Sequence, residues 1–183
     1  EGEKKNITIR QILNMTSGLE FPSHEHEMMF FEADHLAYAY KVDVENKPGE
    51  VFQYNNVNSM LMGEILKGAT GKTAKQLIEE RLFSKIGLKN YTAWEDEAGN
   101  TLTYCCLDMS ARDYSRFGLL FSRDGNWNGD QVISKNYVDE SLKLYWGSTP
   151  SMGWTHSDTR GYSLQWWISK YDDDAKIYNT SGK

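Results

Sequence analysis

The sequence PGEVFQYNNVNS occupies residues 48–59 and is the most informative part of the chain. A Pro-Gly turn leads into a short aromatic segment, and a Tyr-x-Asn triplet then stands where a helix is predicted to begin. Tyr54 and Asn56 are therefore expected to present a phenol and a carboxamide to one small region of space. A carboxamide both donates and accepts hydrogen bonds, and a phenol carries a transferable proton. The pair is suited to holding an amide and moving a proton.

Helix signals extend from this triplet in both directions. Apolar residues recur at helical spacing between Val57 and Ala69. A short helix is expected around Tyr38 and Tyr40. Four further helix starts are predicted by residues with N-capping side chains, namely Thr8, Thr73, Ser110 and Ser134. Towards the end of the chain, residues 161–169 and 177–178 predict two strands joined by a polar turn.

Composition and charge exclude several classes of partner. A hydrophobic content of 39% is enough to form a core, so wholesale disorder is not expected. The formal net charge of -6 argues against binding to nucleic acid, because such proteins present basic surfaces. The sequence contains no long apolar run, so membrane insertion is not expected either.

Two short groups of residues raise the question of a metal or redox site. Cys105 and Cys106 are adjacent, and a disulfide needs Cα separations that neighbouring residues rarely provide. We therefore expect two structural thiols, and two cysteines are too few for a four-cysteine zinc site. His24, Glu25 and His26 also supply too few ligands for a metal. No metal and no cofactor is predicted.

Several blocks of sequence together carry a resemblance to a known family. They lie at residues 9–19, 48–56, 61–65, 111–120 and 161–167. In this order and at these intervals they closely resemble the β-lactamase-like serine hydrolases. That group includes class C β-lactamases, D-alanyl-D-alanine peptidases, family VIII esterases and 6-aminohexanoate-dimer hydrolases. The esterase and amide-hydrolase branch is the more similar one.

The resemblance implies an α+β fold. Residues 1–160 would form most of the helical domain of a β-lactamase-like (transpeptidase) fold and would carry the Tyr-x-Asn motif. Residues 161–183 would be a β-hairpin belonging to part of an antiparallel sheet. An incomplete sheet exposes its edge, so self-association through that edge is expected. Residence in the periplasm or outside the cell is favoured by the resemblance alone.

The resemblance also assigns roles to particular residues. Tyr54 would be the tyrosine acid/base of the family, and Asn56 would be the third residue of its Tyr-x-Asn motif. Lys183 would open the third motif of the family, the alternative being an ordinary lysine at the end of a strand. Trp146 and Trp154 lie on a loop rich in Gly, Ser and Thr and are predicted to line a substrate wall.

One family motif is missing from the 183 residues. No Ser-x-x-Lys occurs in the sequence, and the resemblance places the nucleophilic serine and its lysine before residue 9. The intact protein is therefore expected to hydrolyse a small-molecule ester or amide through an acyl-serine intermediate, while this chain alone is expected to be inactive. The alternative is a non-catalytic binding module that retains the scaffold.

Overall fold

The computed structural model describes residues 2–20, 28–147, 159–170 and 176–180. Helices alternate with small antiparallel sheets, which confirms the predicted α+β class. The chain forms two compact units. The sheet unit comprises Glu1–Glu20, Asp43–Asn55 and Asp139–Lys183, and the helical unit comprises Phe21–Val42 and Asn56–Val138. The expected division into residues 1–160 and 161–183 stays a prediction.

The sheet unit combines two short helices with a four-stranded sheet. A 3₁₀ helix spans Gly2–Asn6, and α1 spans Ile9–Leu13. The capping box predicted at Thr8 is present. The Thr8 side chain accepts a hydrogen bond from the Gln11 backbone N–H, and the Gln11 side chain accepts one from the Thr8 backbone N–H. The antiparallel sheet has the order β5-β6-β7-β8, and its strands span Trp146–Gly147, Thr159–Ser163, Trp166–Lys170 and Lys176–Asn179.

The prediction that residues 161–169 form one strand is wrong. They form the end of β6, a tight turn and most of β7. The turn residues Leu164 and Gln165 have φ angles of 33° and 74°, a left-handed region that favours glycine. Neither residue is a glycine, so the sequence gives no local signal for the turn. Instead, the end of α1 holds it: the Leu164 N–H donates to Asn14 Oδ1 at 2.8 Å, and the Gln165 N–H donates to the Leu13 carbonyl at 3.0 Å.

Replacing Asn14 by Ala should destabilise this hairpin. Asn14 is buried, so its loss leaves the buried Leu164 N–H without its acceptor. We expect the free energy of unfolding to fall by about 1–3 kcal/mol, the usual cost of such an unsatisfied group. Urea denaturation of Asn14→Ala measures the change, with the exposed Asn6→Ala as the matched control. Equal midpoints for the two variants would contradict this account of the turn.

The helical unit contains the predicted helices. They are α2 (His35–Lys41), α3 (Asn56–Thr70), α4 (Ala74–Ile78), α5 (Ser84–Ile86) and α6 (Ala111–Ser122), with a π-helical turn over Glu79–Phe83 between α4 and α5. The predicted caps are present, since Thr73 forms a capping box with Gln76 and the Ser110 side chain accepts from the Asp113 N–H. The last helix, α7 (Lys135–Ser141), begins in the helical unit and ends in the sheet unit. It follows Ser134, whose hydroxyl accepts from the Tyr137 N–H at 3.2 Å.

Two short hairpins complete the helical unit. Strands β1 (Tyr91–Ala93) and β2 (Leu107–Met109) pair antiparallel, as do β3 (Asn126–Trp127) and β4 (Asp130–Gln131). A buried cluster of Phe83, Ile86, Leu88 and Leu120 packs against the first hairpin through its partly buried side chains. The strands therefore pack against a core formed by residues outside them.

The prediction of two free thiols is wrong. Cys105 Sγ and Cys106 Sγ are bonded at 2.12 Å, although the two residues are neighbours in the chain. Neighbouring residues rarely provide the Cα separation that a disulfide needs, which is why the sequence favoured separate thiols. Cys106 instead has a φ of 67°, and this left-handed backbone is a tertiary feature that no local pattern indicates.

His35, for which the sequence indicates no partner, is buried within a polar network. Its Nδ1 lies 3.1 Å from the Tyr104 hydroxyl, and its backbone N–H donates to Asp96 Oδ2 at 2.9 Å. Asn100 donates to the same Asp96 carboxylate, at 3.0 Å. Burial raises the pKa of Tyr104 to about 12, with a further contribution from the Asp96 charge. His35 therefore takes part in a structural polar network within the helical unit.

The part of the chain that the structure describes contains neither a membrane-spanning helix nor a metal-binding group of side chains. None of its helices has the length and apolar character required to cross a bilayer. Within the same residues, no group of three or more His, Cys, Asp or Glu side chains is arranged to hold a metal ion. His24, Glu25 and His26 lie outside the described residues.

Candidate active site

Tyr54 lies in an aromatic cluster at the core of the sheet unit. The cluster consists of Met15, Phe52, Tyr54, Tyr162 and Trp167. The Tyr54 ring stacks on Trp167 with 5.4 Å between centroids, and it meets Tyr162 edge-on at 6.3 Å. Two strand residues and the motif segment thus fix one another, since aromatic pairs of this geometry are mutually attractive. The orientation of the Tyr54 ring is set by β6 and β7.

Burial determines the electrostatics of this cluster. Tyr54 is only 8% exposed, and this burial raises the pKa of its hydroxyl above the ordinary value of 10.0. Tyr162 is still more buried, and burial together with the neighbouring Tyr54 raises the pKa of its phenol well above that value. Within this chain the Tyr54 phenol is therefore held protonated. This differs from the lowered pKa that a proton carrier needs.

The segment that carries Tyr54 is tied to a second block of the family pattern. The Gln53 N–H donates to the Met15 carbonyl at 2.9 Å, and the Gly49 N–H donates to the Thr16 carbonyl at 2.8 Å. The buried Asn55 side chain donates to the Leu19 carbonyl at 3.2 Å. Residues 15–19 and 49–55, which are far apart in sequence, therefore form one bonded layer behind Tyr54.

Glycine is required at one point of this layer. Gly18 has a φ of 76°, and its carbonyl accepts hydrogen bonds from the N–H groups of Glu45 and Asn46. A Cβ atom at Gly18 would collide with the backbone carbonyl oxygen of Asn46. Both the conformation and the close approach exclude a side chain, which gives a physical reason for glycine in this block.

Asn56 is the first residue of α3 and is buried in the helical unit. Tyr54 belongs to the sheet unit. Sequence reasoning passed over Asn55, which stands between them. It is 1% exposed, and its hydrogen bond to Leu19 makes it a structural residue of the layer. The only signal for it was the presence of a second amide beside the motif.

Of the three remaining predicted site residues, Trp146 is the one that lies within the described residues. Trp146 is in β5, where it pairs with Tyr162 of β6. Trp154 and Lys183 lie outside the described residues. Thr180 and Lys183 also have Thr-x-x-Lys spacing, which sequence reasoning overlooked. Thr180 is exposed and directly follows β8, whereas a Ser-x-x-Lys pair shares a helical turn.

A charged cluster precedes Trp146 and was not predicted. Arg10 Nη1 donates to Glu140 Oε1 at 2.9 Å and to the Tyr145 hydroxyl at 2.6 Å. The Arg10 guanidinium carbon also lies 5.1 Å from the centre of the Tyr145 ring. A hydrogen bond from Tyr145, supported by Arg10, lowers the pKa of Glu140. The cluster joins α1 to the segment that leads into β5.

Comparison with solved structures defines the fold first. The chain is similar to a candidate 6-aminohexanoate-dimer hydrolase from Bacillus anthracis, with a TM-score of 0.72, 22% identity, and coverage of 94% of this chain and 52% of that protein. It is also similar to an octameric penicillin-binding protein homologue from Pyrococcus abyssi, with a TM-score of 0.69, 18% identity, and coverage of 94% of this chain and 48% of that protein. A D-amino acid amidase from Ochrobactrum anthropi SV3 is similar with a TM-score of 0.69, 17% identity, and coverage of 94% of this chain and 62% of that protein. At these identities the likeness establishes a β-lactamase-like fold.

A family comparison then identifies the chain. The family model described as Beta-lactamase matches residues 1–183, so the chain belongs to the β-lactamase family. This confirms the resemblance to β-lactamase-like serine hydrolases. Among curated proteins, the chain is similar to Protein flp of Staphylococcus aureus (strain MW2), with 27% identity over 95 residues, which are 50% of this chain and 19% of that protein. The chain spans about half the length of the first two solved relatives.

Proposed function

We propose that this chain contributes the supporting part of an active site that hydrolyses a small ester or amide through an acyl-serine intermediate. The observation that carries the proposal is the family match over residues 1–183, because it covers both the Tyr-x-Asn motif and the sheet that holds it. No Ser-x-x-Lys occurs in these residues, so the nucleophile and its base would be supplied by other sequence of the intact protein. Alone, the chain would be inactive.

Tyr54 would serve as the proton carrier of both half-reactions. Acyl transfer needs a group that takes the serine proton and returns one to the leaving group. The stacked Trp167 ring supports this role, because it fixes the direction of the phenol. The raised pKa of Tyr54 would have to fall in the intact protein. A nearby lysine ammonium, such as that of a Ser-x-x-Lys motif, would lower it.

Asn56, Trp146, Trp154 and Lys183 would complete the substrate site. The Asn56 amide would bond the scissile amide or ester of the substrate, because it offers both a donor and an acceptor. Trp146 and Trp154 would form apolar walls, and Lys183 would open the third family motif on the strand beside the site. No metal or cofactor enters the reaction that we propose.

The second candidate is a binding module that retains the scaffold without catalysis. The observation that favours it is the burial of Tyr54, which raises the pKa of the phenol away from the range of a proton carrier. In this case the aromatic cluster of Met15, Phe52, Tyr54, Tyr162 and Trp167 would be purely structural. Binding of a small amide would then occur without turnover.

The coding sequence upstream of Glu1 separates the two candidates. The hydrolase requires a Ser-x-x-Lys some tens of residues before Ile9, since the lysine must share a helical turn with the serine to exchange a proton. Sequencing the full reading frame at its source tests this directly. A frame that continues upstream with neither a serine nor a threonine three positions before a lysine would overturn the hydrolase and leave the binding module.

A further inference from the structure

The Cys105–Cys106 disulfide closes the smallest loop that two cysteines can form, with a sequence separation of 1. A disulfide stabilises a fold chiefly by restricting the unfolded chain, and the effect grows with the length of the closed loop. A bond between neighbours removes little freedom from the unfolded chain. The contribution of this disulfide to stability is therefore small, which directs attention to its chemistry.

The disulfide lines the wall of a cavity of about 180 Å³ within the helical unit. The two cysteines are half-buried, so their sulfur atoms are not sealed in the core. For comparison, a cavity of about 150 Å³ holds a molecule the size of benzene. The cavity thus has room for a small reagent beside the S–S bond. Its apolar lining consists of Ala74, Ile78, Ala93, Leu102 and Leu107.

A cation lines the same cavity. Lys75 belongs to the cavity wall and forms an ion pair with Glu95, with Nζ and Oε2 3.0 Å apart. Reactive cysteines commonly have a lysine or arginine nearby, because the positive charge favours the thiolate over the thiol. An apolar cavity without a charge would have the opposite effect. The cavity therefore combines access for a small molecule with a lysine in its wall, whose charge is shared with Glu95.

The disulfide also lies at the end of the β1–β2 hairpin. The Cys106 carbonyl accepts a hydrogen bond from the Trp94 N–H at 3.1 Å, and β2 begins at the next residue, Leu107. The Leu102 N–H donates in turn to the Trp94 carbonyl at 2.9 Å. A change at Cys106 would reach the amide of Trp94 through a single hydrogen bond.

We propose that Cys105 and Cys106 form a redox-active pair that exchanges between disulfide and dithiol, with a small dithiol as the reductant. One thiolate of the reductant attacks a cysteine sulfur, the S–S bond breaks, and the other cysteine leaves as a thiolate that takes up a proton. The second thiol of the reductant then displaces the attacked cysteine. Two electrons pass to the pair, and the reductant ends as a cyclic disulfide.

The 183-residue chain allows a direct test, because it contains only two cysteines. We expect no reactive thiol in the native oxidised protein and two per chain after treatment with dithiothreitol in the absence of denaturant. Phenylarsine oxide, which bridges paired thiols, should bind once to the reduced chain and not to the oxidised chain. Two free thiols in the oxidised protein, or a disulfide that yields only after urea unfolds the protein, would overturn the proposal.

Two further measurements separate a redox site from a structural bond. Reduction should change the melting temperature by less than about 3 °C, since the bond adds little stability. A larger fall would make the disulfide a structural staple and refute the proposal. Lys75→Gln should slow alkylation of the reduced pair several-fold at neutral pH, whereas Lys72→Gln, which removes a similarly exposed lysine paired with Glu80, should not. Equal alkylation rates in the two variants would show that Lys75 does not influence the cysteine pair and would contradict this part of the proposal.

Discussion

Tyr54→Phe in the intact protein should lower kcat for p-nitrophenyl esters by about 10²–10⁴-fold, the usual contribution of a positioned acid/base group. The substitution removes the phenolic oxygen and keeps the ring. The stack on Trp167 and the edge contact with Tyr162 should therefore survive, and KM should change little. Steady-state kinetics of the full-length enzyme give both parameters.

Tyr162→Phe is the matched control for this experiment. Tyr162 belongs to the same aromatic cluster, is 2% exposed, and also loses only its hydroxyl oxygen. A cluster that acts only as a core would give both variants similar kinetics. An unchanged kcat in Tyr54→Phe would remove Tyr54 from the proton relay, and an equal fall in both variants would assign the loss to packing.

The isolated 183-residue chain should form no stoichiometric covalent adduct, neither the phosphonyl ester left by a fluorophosphonate nor the acyl ester left by a penicillin. Such reagents require an activated serine hydroxyl, and the sequence holds no Ser-x-x-Lys to activate one. Intact-mass spectrometry after incubation measures the adduct directly. The expected result is the mass of the unmodified chain, whereas the full-length protein should gain one adduct per molecule.

A stoichiometric adduct on the isolated chain would overturn the predicted inactivity. Peptide mapping would then identify the modified residue, and Thr180 would be the first to inspect because of its spacing from Lys183. Native spectra of the same sample also test self-association. Within the described residues, β5 and β8 are the outermost strands of their sheet. If the chain self-associates through the sheet edge as predicted, multiples of the chain mass are expected, and a monomer alone would contradict this prediction.

The helices were predictable because their signals are local. Thr8, Thr73 and Ser110 each cap a helix through an atom no more than three residues away, so the pattern and the bond lie in the same short segment. The periodicity after Asn56 likewise reports a helix directly. The block at residues 9–19 includes Gly18, which occupies a backbone position that excludes any side chain.

Other features depend on residues that are distant in sequence. The turn at Leu164 and Gln165 has no glycine, and it is held by Asn14 and Leu13, about 150 positions earlier. The position of His35 depends on Asp96 and Tyr104 in the same way. A single sequence does not indicate such pairs, because nothing in either segment specifies its partner.

The amino-acid sequence alone determined where the capped helices begin, because capping acts over short distances, and its blocks carried the resemblance that implied the α+β class and the family. Only the tertiary structure decided that the Tyr54 phenol is buried against Trp167, with a raised pKa, and that Cys105 and Cys106 are bonded beside a cavity. Burial and backbone handedness depend on which remote segments pack together. Which remote segments pack together depends on the whole fold. The burial and the pKa of a side chain therefore do not follow from its identity alone.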